Sequence, residues 1–453
     1  MDYAASPGGA IAPVAASLAT GPIGLIAFAR LAGKNMLSVI PDETRHQTYL
    51  RGPINIHWIC DPEIVTELLI GKGRHFPKAK FTKDILGSAV GHGLMLSEGE
   101  KWRVQRRRYS PLFAARNLPM LTTHFASTGE DFARDVLAGD GSGEVDIARL
   151  SQEATLTDIS RVMFSGTDTV APAVIRDSMK RYFQFIGDNI SLFDLMALPS
   201  WVPRLKWLSS RAPVTAIRVL ARQVIESRRA LGRETPEDFL DLMIQTLEED
   251  VEDLDTTIDN LLTFVVAGHE TAANSMAWGL YLLALYPDVQ ARLRDEVLAA
   301  CGTGAITYDA VAKMPHLVSH VRETLRLYPA GAFFARDAAE DVTIKDIRFA
   351  RGDALFFPVY SLHRNSQLWD DPDGYHADRF LDYQPPRGQF IPFGDGPRIC
   401  IGAQYAETEI TVLMAALLRR VELGMTDKPI PGPVLTFTMR PGGPMILKAQ
   451  SVV

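Results

Sequence analysis

The sequence predicts a mainly α fold with small β-sheets, of the α+β class. Helical periodicity runs through most of the chain beyond residue 99, and strand-like stretches are few and short. With 47% hydrophobic and 22% charged residues among 453, the composition is that of an ordinary globular protein, which excludes a disordered or low-complexity chain. The 54 acidic residues outnumber the 47 basic ones, for a net charge of −7. That balance disfavours a nucleic-acid partner, which calls for a basic surface. Three cysteines, Cys60, Cys301 and Cys400, with no Cys-x-x-Cys pair, supply neither a disulfide framework nor a zinc site. They fit a reducing, cytoplasmic location.

The elements follow in order. Residues 3–29 carry no charge but hold Pro7, Pro13 and Pro22 and several glycines, with no basic residue ahead of them. We read residues 1–21 as a loose leader and a helix over 22–32 with Pro22 in its first turn, with no membrane partner expected; a membrane anchor is the alternative, since the uncharged stretch is long enough to span a bilayer. Residues 22–453 form a single domain, since neither a repeat nor a Ser/Gly linker divides them. A strand pair is expected at Thr48–Arg51 and Asn55–Ile59 around Gly52-Pro53, then a helix over Pro62–Ile70 and an irregular, glycine-rich stretch over 76–96. Periodicity places helices at 99–112, 116–138, 146–165, 172–189, 212–231, 236–247, 254–285, 287–300, 315–327 and 402–420. Strands are expected at Val342–Ile344, Ala354–Val359 and Val434–Met439. Residues 364–399 have almost no periodicity, and so long an irregular segment points to function.

That segment ends in Phe393-Gly394-Asp395-Gly396-Pro397-Arg398-Ile399-Cys400-Ile401-Gly402. Two glycines and a proline make a tight bend that leaves one cysteine at the entrance to a helix. A helix N-terminus favours negative charge and biases the thiol toward thiolate, the form that binds metal. Gly402 lets a flat ligand approach the backbone, and Arg398 offers a fork of donors to a carboxylate. One anionic sulfur beside a carboxylate clamp suits haem iron, whose macrocycle carries propionates. Cys60 and Cys301 lack such surroundings and read as buried structural thiols.

The pattern Phe-Gly-x-Gly-x-Arg-x-Cys-x-Gly is similar to the haem-binding signature of the cytochrome P-450 family. The resemblance covers about residues 50–440, and three further motifs occur in the family's order. Ala267-Gly268-His269-Glu270-Thr271 lies inside helix 254–285, where a mid-helix glycine costs about 1 kcal/mol relative to alanine and so needs a reason. One reason is a distortion that makes room for dioxygen; the plainer alternative is a helix with a back-bonded threonine. The resemblance implies that Glu270 and Thr271 relay protons and that Ala267 and Gly268 lie against the haem. Glu323-Thr324-Leu325-Arg326 puts Glu323 and Arg326 on one helix face. The resemblance adds Arg379, in Ala377-Asp378-Arg379-Phe380, as the third member of a buried triad, although Ala377 stands where the family more often has proline. Trp102-Arg103-Val104-Gln105-Arg106 places Trp102 and Arg106 four residues apart, as propionate donors with Arg336 as a third basic contact.

What the resemblance implies is a soluble, bacterial-type, stand-alone haem domain. It would be a trigonal-prism helical fold with haem b between the long central helix and the cysteine-loop helix. Its activity would be insertion of one atom of dioxygen into a C–H or C=C bond of a small apolar molecule. Electrons would come from NAD(P)H through a reductase and a separate ferredoxin- or flavodoxin-type carrier, since 53 residues after Cys400 leave no room for a fused reductase. The carrier would dock on the basic face of Arg103, Arg107 and Arg108, and the enzyme would work as a monomer. A peroxide-driven peroxygenase and a non-catalytic haem sensor are the alternatives. The pocket is expected to involve Val90, Leu94, Met95, Phe264, Phe333, Phe334 and Phe437, with further wall from 81–96 and 183–198.

Overall fold

The computed structural model describes residues 13–21, 25–32, 34–52, 55–138, 143–164, 174, 177–179, 181–182, 211–232, 235–248 and 254–452. Residues 13–21 are tied to the body rather than loose. Val14 N–H donates to the Tyr281 hydroxyl at 3.1 Å, Ala16 N–H donates to the Tyr360 hydroxyl at 2.9 Å, and the Tyr328 hydroxyl donates to the Val14 carbonyl at 2.6 Å. Helix α1 (Leu25–Ala32) follows; Pro22, expected in its first turn, lies outside the described residues, as do residues 1–12.

Strands β1 (Tyr49–Arg51) and β2 (Ile56–Ile59) pair antiparallel, then α2 (Pro62–Thr66) starts with Asp61 capping Glu63 N–H and Ile64 N–H. The stretch read as irregular over 76–96 contains a helix, α3 (Lys80–Val90). Its local signal is weak because Gly87 sits mid-helix and no side chain caps its start. Burial of Leu86 and Val90 holds it in place. The next elements are α4 (Gly99–Tyr109), α5 (Leu118–Ala138), β3 (Glu144–Asp146), α6 (Ile147–Phe164), α7 (Arg211–Ala230) and α8 (Phe239–Glu248). The helix expected over 172–189 lies almost entirely outside the described residues.

The core is organised around α9 (Leu254–Leu285), 32 residues and so about 48 Å long. Its apolar residues are not confined to one stripe, which is the pattern of a helix buried on all sides. It packs on α3, α6 and α7, and on the later helices α12 (Pro315–Leu327) and α15 (Ala403–Leu418). It ends because Pro287 opens α10 (Pro287–Cys301) and forces Tyr286 out of helical geometry, at φ −122° and ψ 76°. Between lie α11 (Tyr308–Val311), β4 (Phe334–Asp337), the hairpin β5 (Val342–Ile344) and β6 (Ile347–Phe349), β7 (Ala354–Phe357), α13 (Val359–Leu362) and α14 (Arg379–Asp382). After α15 come β8 (Val421–Met425), β9 (Pro433–Leu435), β10 (Met439–Pro441) and β11 (Ile446–Ser451).

One sheet has the order β1-β2-β7-β4, with β2 and β7 parallel, and another the order β3-β11-β8. The single strand expected over Val434–Met439 is instead a hairpin: β9 and β10 pair antiparallel, and the chain reverses at Thr436–Thr438. The regular elements within residues 364–399 are α14 and one short 3-10 helix over Gly396–Arg398; the rest is turns and irregular chain. Among the described residues no helix is long and apolar enough to cross a membrane.

Candidate active site

The irregular segment is fixed by ion pairs rather than by a backbone ladder. Arg326 on α12 grips Glu323 with Nε and Nη2 at 2.7 and 2.8 Å, and Arg379 Nε reaches both oxygens of Glu323 at 3.1 Å. The remaining arginine donors go to carbonyls of the segment: His363, Pro372 and Gly374 from Arg326, Asp370 and Asp371 from Arg379. Glu323 and Arg326 are fully buried, so the three side chains form a closed knot inside the protein.

Downstream of that knot the chain bends around Cys400. Gly394 and Gly396 adopt φ of 74° and 72°, and a Cβ on Gly396 would stand 2.4 Å from the Leu69 carbonyl. Cys400 N–H closes the bend on the Phe393 carbonyl at 2.8 Å. Gly402 is the N-cap of α15. The Cys400 sulfur opens into a cavity of roughly 380 Å³, whose walls include Phe393, Gly402, Ala267, Gly268 and Thr271.

The electrostatics of the sulfur differ from the sequence expectation. Burial pushes the thiol up, and the Gly402 N–H, Arg106 and Lys78 only partly pull it back. The helix entrance alone does not make a thiolate; a bound metal cation would.

Positive charge is in excess along one wall. Lys78, bridged to Arg336 on β4, is pushed down to about 7, by burial first and then by Arg336 and Arg398. Arg336 is pushed down to about 10 by burial and by Arg398. Among the described residues its guanidinium has no carboxylate pair; it makes a long 3.5 Å contact with the Ala335 carbonyl and lies 5.5 Å over the Phe334 ring. Arg398 donates to the Ser97 carbonyl at 2.8 Å and pairs with Glu98, while its guanidinium lies 4.1 Å over the Trp102 ring. Trp102 therefore backs Arg398, and Arg106 spends one donor on the Ile399 carbonyl at 2.9 Å. Among the described residues, Glu98 is the carboxylate that acts on Lys78 and Arg336, against the cations Lys78, Lys83, Arg336 and Arg398. A lone sulfur, apolar walls and a surplus of cations on one side fit a haem: the sulfur for its iron, the cations for its two propionates.

On α9 the two expected proton carriers part company. Thr271 lines the cavity, and its hydroxyl donates to the Ala267 carbonyl at 2.6 Å, the back-bonded arrangement. Glu270 is not in the cavity wall. Successive helical residues point about 100° apart, and Glu270 turns toward Thr438 and Arg440 on the β9–β10 hairpin. Gly268 serves helix packing as well as the cavity, since a Cβ there would come 2.9 Å from Ile159 Cδ1 on α6.

Of the expected pocket residues, Met95, Phe264, Phe333, Phe334 and Phe437 line the cavity. Val90 and Leu94 do not; Val90 ends α3, Leu94 sits in the turn that follows, and both are buried in the core beside α9. The 183–198 stretch lies outside the described residues. Lys78, Glu98, Asn274 and Thr438 escaped the sequence reading. Pairings such as Asn274 with Thr438, 164 residues apart, leave no local pattern.

A cysteine sulfur facing an apolar chamber with a cationic rim defines the haem-thiolate class of protein. The comparison with known proteins agrees: the family profile described as Cytochrome P450 matches residues 45–447. The 11-oxo-beta-amyrin 30-oxidase of Glycyrrhiza uralensis is 27% identical over 419 residues, 86% of this chain and 78% of that protein. The cytokinin hydroxylase of Arabidopsis thaliana is 28% identical over 422 residues, with 86% and 78% covered. Cytochrome P450 4A10 of Rattus norvegicus is 28% identical over 425 residues, with 86% and 80% covered. The chain belongs to the cytochrome P450 family and is a haem-dependent monooxygenase. These relatives are eukaryotic and lend no weight to the bacterial type expected from the sequence.

Proposed function

We propose that the protein inserts one oxygen atom of dioxygen into a C–H or C=C bond of a small apolar molecule, with electrons from a separate carrier. The observation that carries this reading is the Cys400 sulfur opening into an apolar cavity whose cations outnumber their carboxylate partners. When bound there, haem supplies the oxygen-activating chemistry, and the second oxygen atom leaves as water. Cys400 holds the iron. Arg398, Arg336 and Lys78 hold the propionates, with Trp102 stacked behind Arg398 and Arg106 beside the sulfur. Phe264, Phe333, Phe437 and Met95 exclude water and orient an apolar substrate. Thr271, its own proton given to Ala267, presents oxygen lone pairs to the cavity and holds a proton-bearing water there, while Glu270 supplies protons from outside the wall.

The carrier is of the ferredoxin or flavodoxin type, charged from NAD(P)H through a reductase. Its dock is the outer face of α4. Arg103 and Arg107 are exposed there, Val104 and Ile399 are exposed apolar residues, and Arg106 ties the helix to the cysteine loop. We place the enzyme in the cytoplasm, a reducing compartment that suits its three free cysteines, and propose that it works as a monomer.

The test is Thr271→Ala, assayed with a surrogate ferredoxin pair. Haem binding is retained, and the electrons consumed appear increasingly as hydrogen peroxide. A variant that couples electrons to product as fully as the parent removes Thr271 from the proton path. Turnover with peroxide alone, and none with NADPH, sinks the monooxygenase reading in favour of a peroxygenase.

A further inference from the structure

The ion-pair knot and the cysteine bend meet at one residue, His363, which caps the C-terminal end of α13. Its carbonyl accepts from Arg326 Nη1 at 2.8 Å, and its own N–H donates to the Val359 carbonyl at 2.9 Å. Its side chain reaches the other way: the Ile391 N–H donates to His363 Nε2 at 2.9 Å, with both residues buried. A ring nitrogen that accepts carries no proton, so the imidazole is neutral with its hydrogen on Nδ1. Burial, then the charge of Arg326, push the imidazole down to about 3, which keeps that lone pair available near neutral pH. The ring is boxed in by aromatic neighbours. Phe390 and Trp369 lie 5.1 and 6.5 Å away, centroid to centroid, and Arg326 and Arg379 stand 5.2 and 5.9 Å over the same Trp369. Pro392 has no N–H, so the Ile391 N–H is the one backbone donor between Phe390 and Phe393. Two further rungs lead from there to the sulfur: Gly394 N–H donates to the Ile391 carbonyl at 3.0 Å, and Cys400 N–H to the Phe393 carbonyl at 2.8 Å.

We propose that His363 is a positioning residue for the iron ligand: its Nε2 lone pair anchors the Ile391 N–H and so carries the hold of the Glu323–Arg326–Arg379 knot to the bend that sets the Cys400 sulfur. The inference rests on the reading that Cys400 holds the iron. The knot's own carbonyl contacts end at Gly374, short of the bend. The imidazole adds a direct bond from a residue of the knot to the start of the bend. A buried N–H that loses its acceptor costs free energy, and the chain around it loosens until water or another group replaces the partner. Here that chain is Ile391 to Phe393, which also forms part of the cavity wall. The geometry makes the role specific to one atom. Glutamine can bring its side-chain oxygen to where Nε2 stands. Asparagine, one carbon shorter, brings its oxygen only to the place of Nδ1 and leaves the Ile391 N–H unpaired.

The experiment uses the haem-loaded full chain, with His363→Gln and His363→Asn, and has two readouts. Amide hydrogen exchange is followed at Ile391 and Gly394, and the thiolate spectrum of the reduced carbonyl complex is followed as it decays to the thiol form. In His363→Asn both amides exchange about tenfold faster or more, and the thiolate spectrum decays severalfold faster than in the parent. His363→Gln stays near the parent on both. His363→Met takes the place of the asparagine variant should that fail to fold. Strands β3, β8 and β11 keep their protection throughout; if they lose it together with Ile391, His363 is a general core residue and the proposal is overturned. Unmoved exchange at Ile391 in His363→Asn, or glutamine and asparagine variants that behave alike, also overturns it. So does faster exchange with an unmoved thiolate spectrum, which cuts the link to the ligand. A parent that never shows the thiolate spectrum sinks the reading of Cys400 instead.

Discussion

Replacing Glu323 by glutamine tests how the cysteine loop is held. The Glu323 carboxylate accepts from Arg326 at 2.7 and 2.8 Å, from Arg379 at 3.1 Å on each oxygen, and from the His376 N–H at 3.0 Å. Glutamine keeps the shape but turns one acceptor into a donor. Both oxygens face arginine N–H groups, so either amide orientation sets a donor against a donor and leaves two buried guanidinium ions without a counter-charge. Breaking a buried pair from one side costs about 3–5 kcal/mol, against about 0.2–1 kcal/mol for an exposed pair. The arginines also hold five carbonyls between His363 and Gly374, so the loss falls on that segment first. The assay is native-state amide hydrogen exchange on peptides covering 363–380. Opening there becomes easier by roughly two to four powers of ten, while β3, β8 and β11 keep their protection. Exchange in 363–380 within a factor of about five of the parent (about 1 kcal/mol) would refute the reasoning.

Three further predictions follow from the same geometry. Asp158 on α6 and Glu409 on α15 face each other in the core; burial pushes Asp158 up to about 6 and Glu409 well above its ordinary value, with Thr128, His124 and Arg161 opposing the rise at Asp158. The folded state therefore keeps protons that the unfolded chain has lost, so the contribution of this pair is fully present below about pH 4 and is lost as the pH rises through about 6 and beyond; Asp158→Asn removes that part of the pH dependence of urea unfolding, and an unchanged slope contradicts it. Arg336→Leu removes a cation that has no carboxylate pair among the described residues, so haem leaves for an excess of apomyoglobin at least tenfold faster than from the parent, and an equal rate argues against a propionate on this wall. Arg107→Glu slows reduction by an acidic ferredoxin severalfold at low salt and much less at high salt; an effect independent of ionic strength contradicts docking on α4.

How much of this was legible in the sequence depended on the range of the forces involved. Long helices with a mid-chain apolar run, such as 254–285, were readable because periodicity is local, and so were the helix starts at Pro287 and Pro315. The cysteine bend was readable because its geometry is encoded in consecutive residues, Gly394 to Gly402. The helix at Lys80–Val90 was not, because tertiary burial of Leu86 and Val90 outweighs the cost of Gly87. The hairpin at 433–441 read as one strand because Thr436, Phe437 and Thr438 carry no glycine or proline to mark a turn. Glu270 and Thr271 are neighbours in sequence but separated by the helix twist. What each touches is set by the Ala267 carbonyl and by the β9–β10 hairpin far along the chain. The cationic wall was only half visible: Arg398 and Arg336 were expected, whereas Lys78 and Glu98 gain meaning only when the sheet edge meets α4.

The account turns on the bond between the Cys400 sulfur and iron. X-ray absorption at the iron edge of the haem-loaded protein, with Cys400→His alongside, reads that bond directly. We expect a single sulfur neighbour in the parent, with the matching thiolate spectrum of the reduced carbonyl complex, and loss of both in the variant. An iron coordinated by nitrogen alone in the parent, or a sulfur signal that persists in Cys400→His, would contradict it.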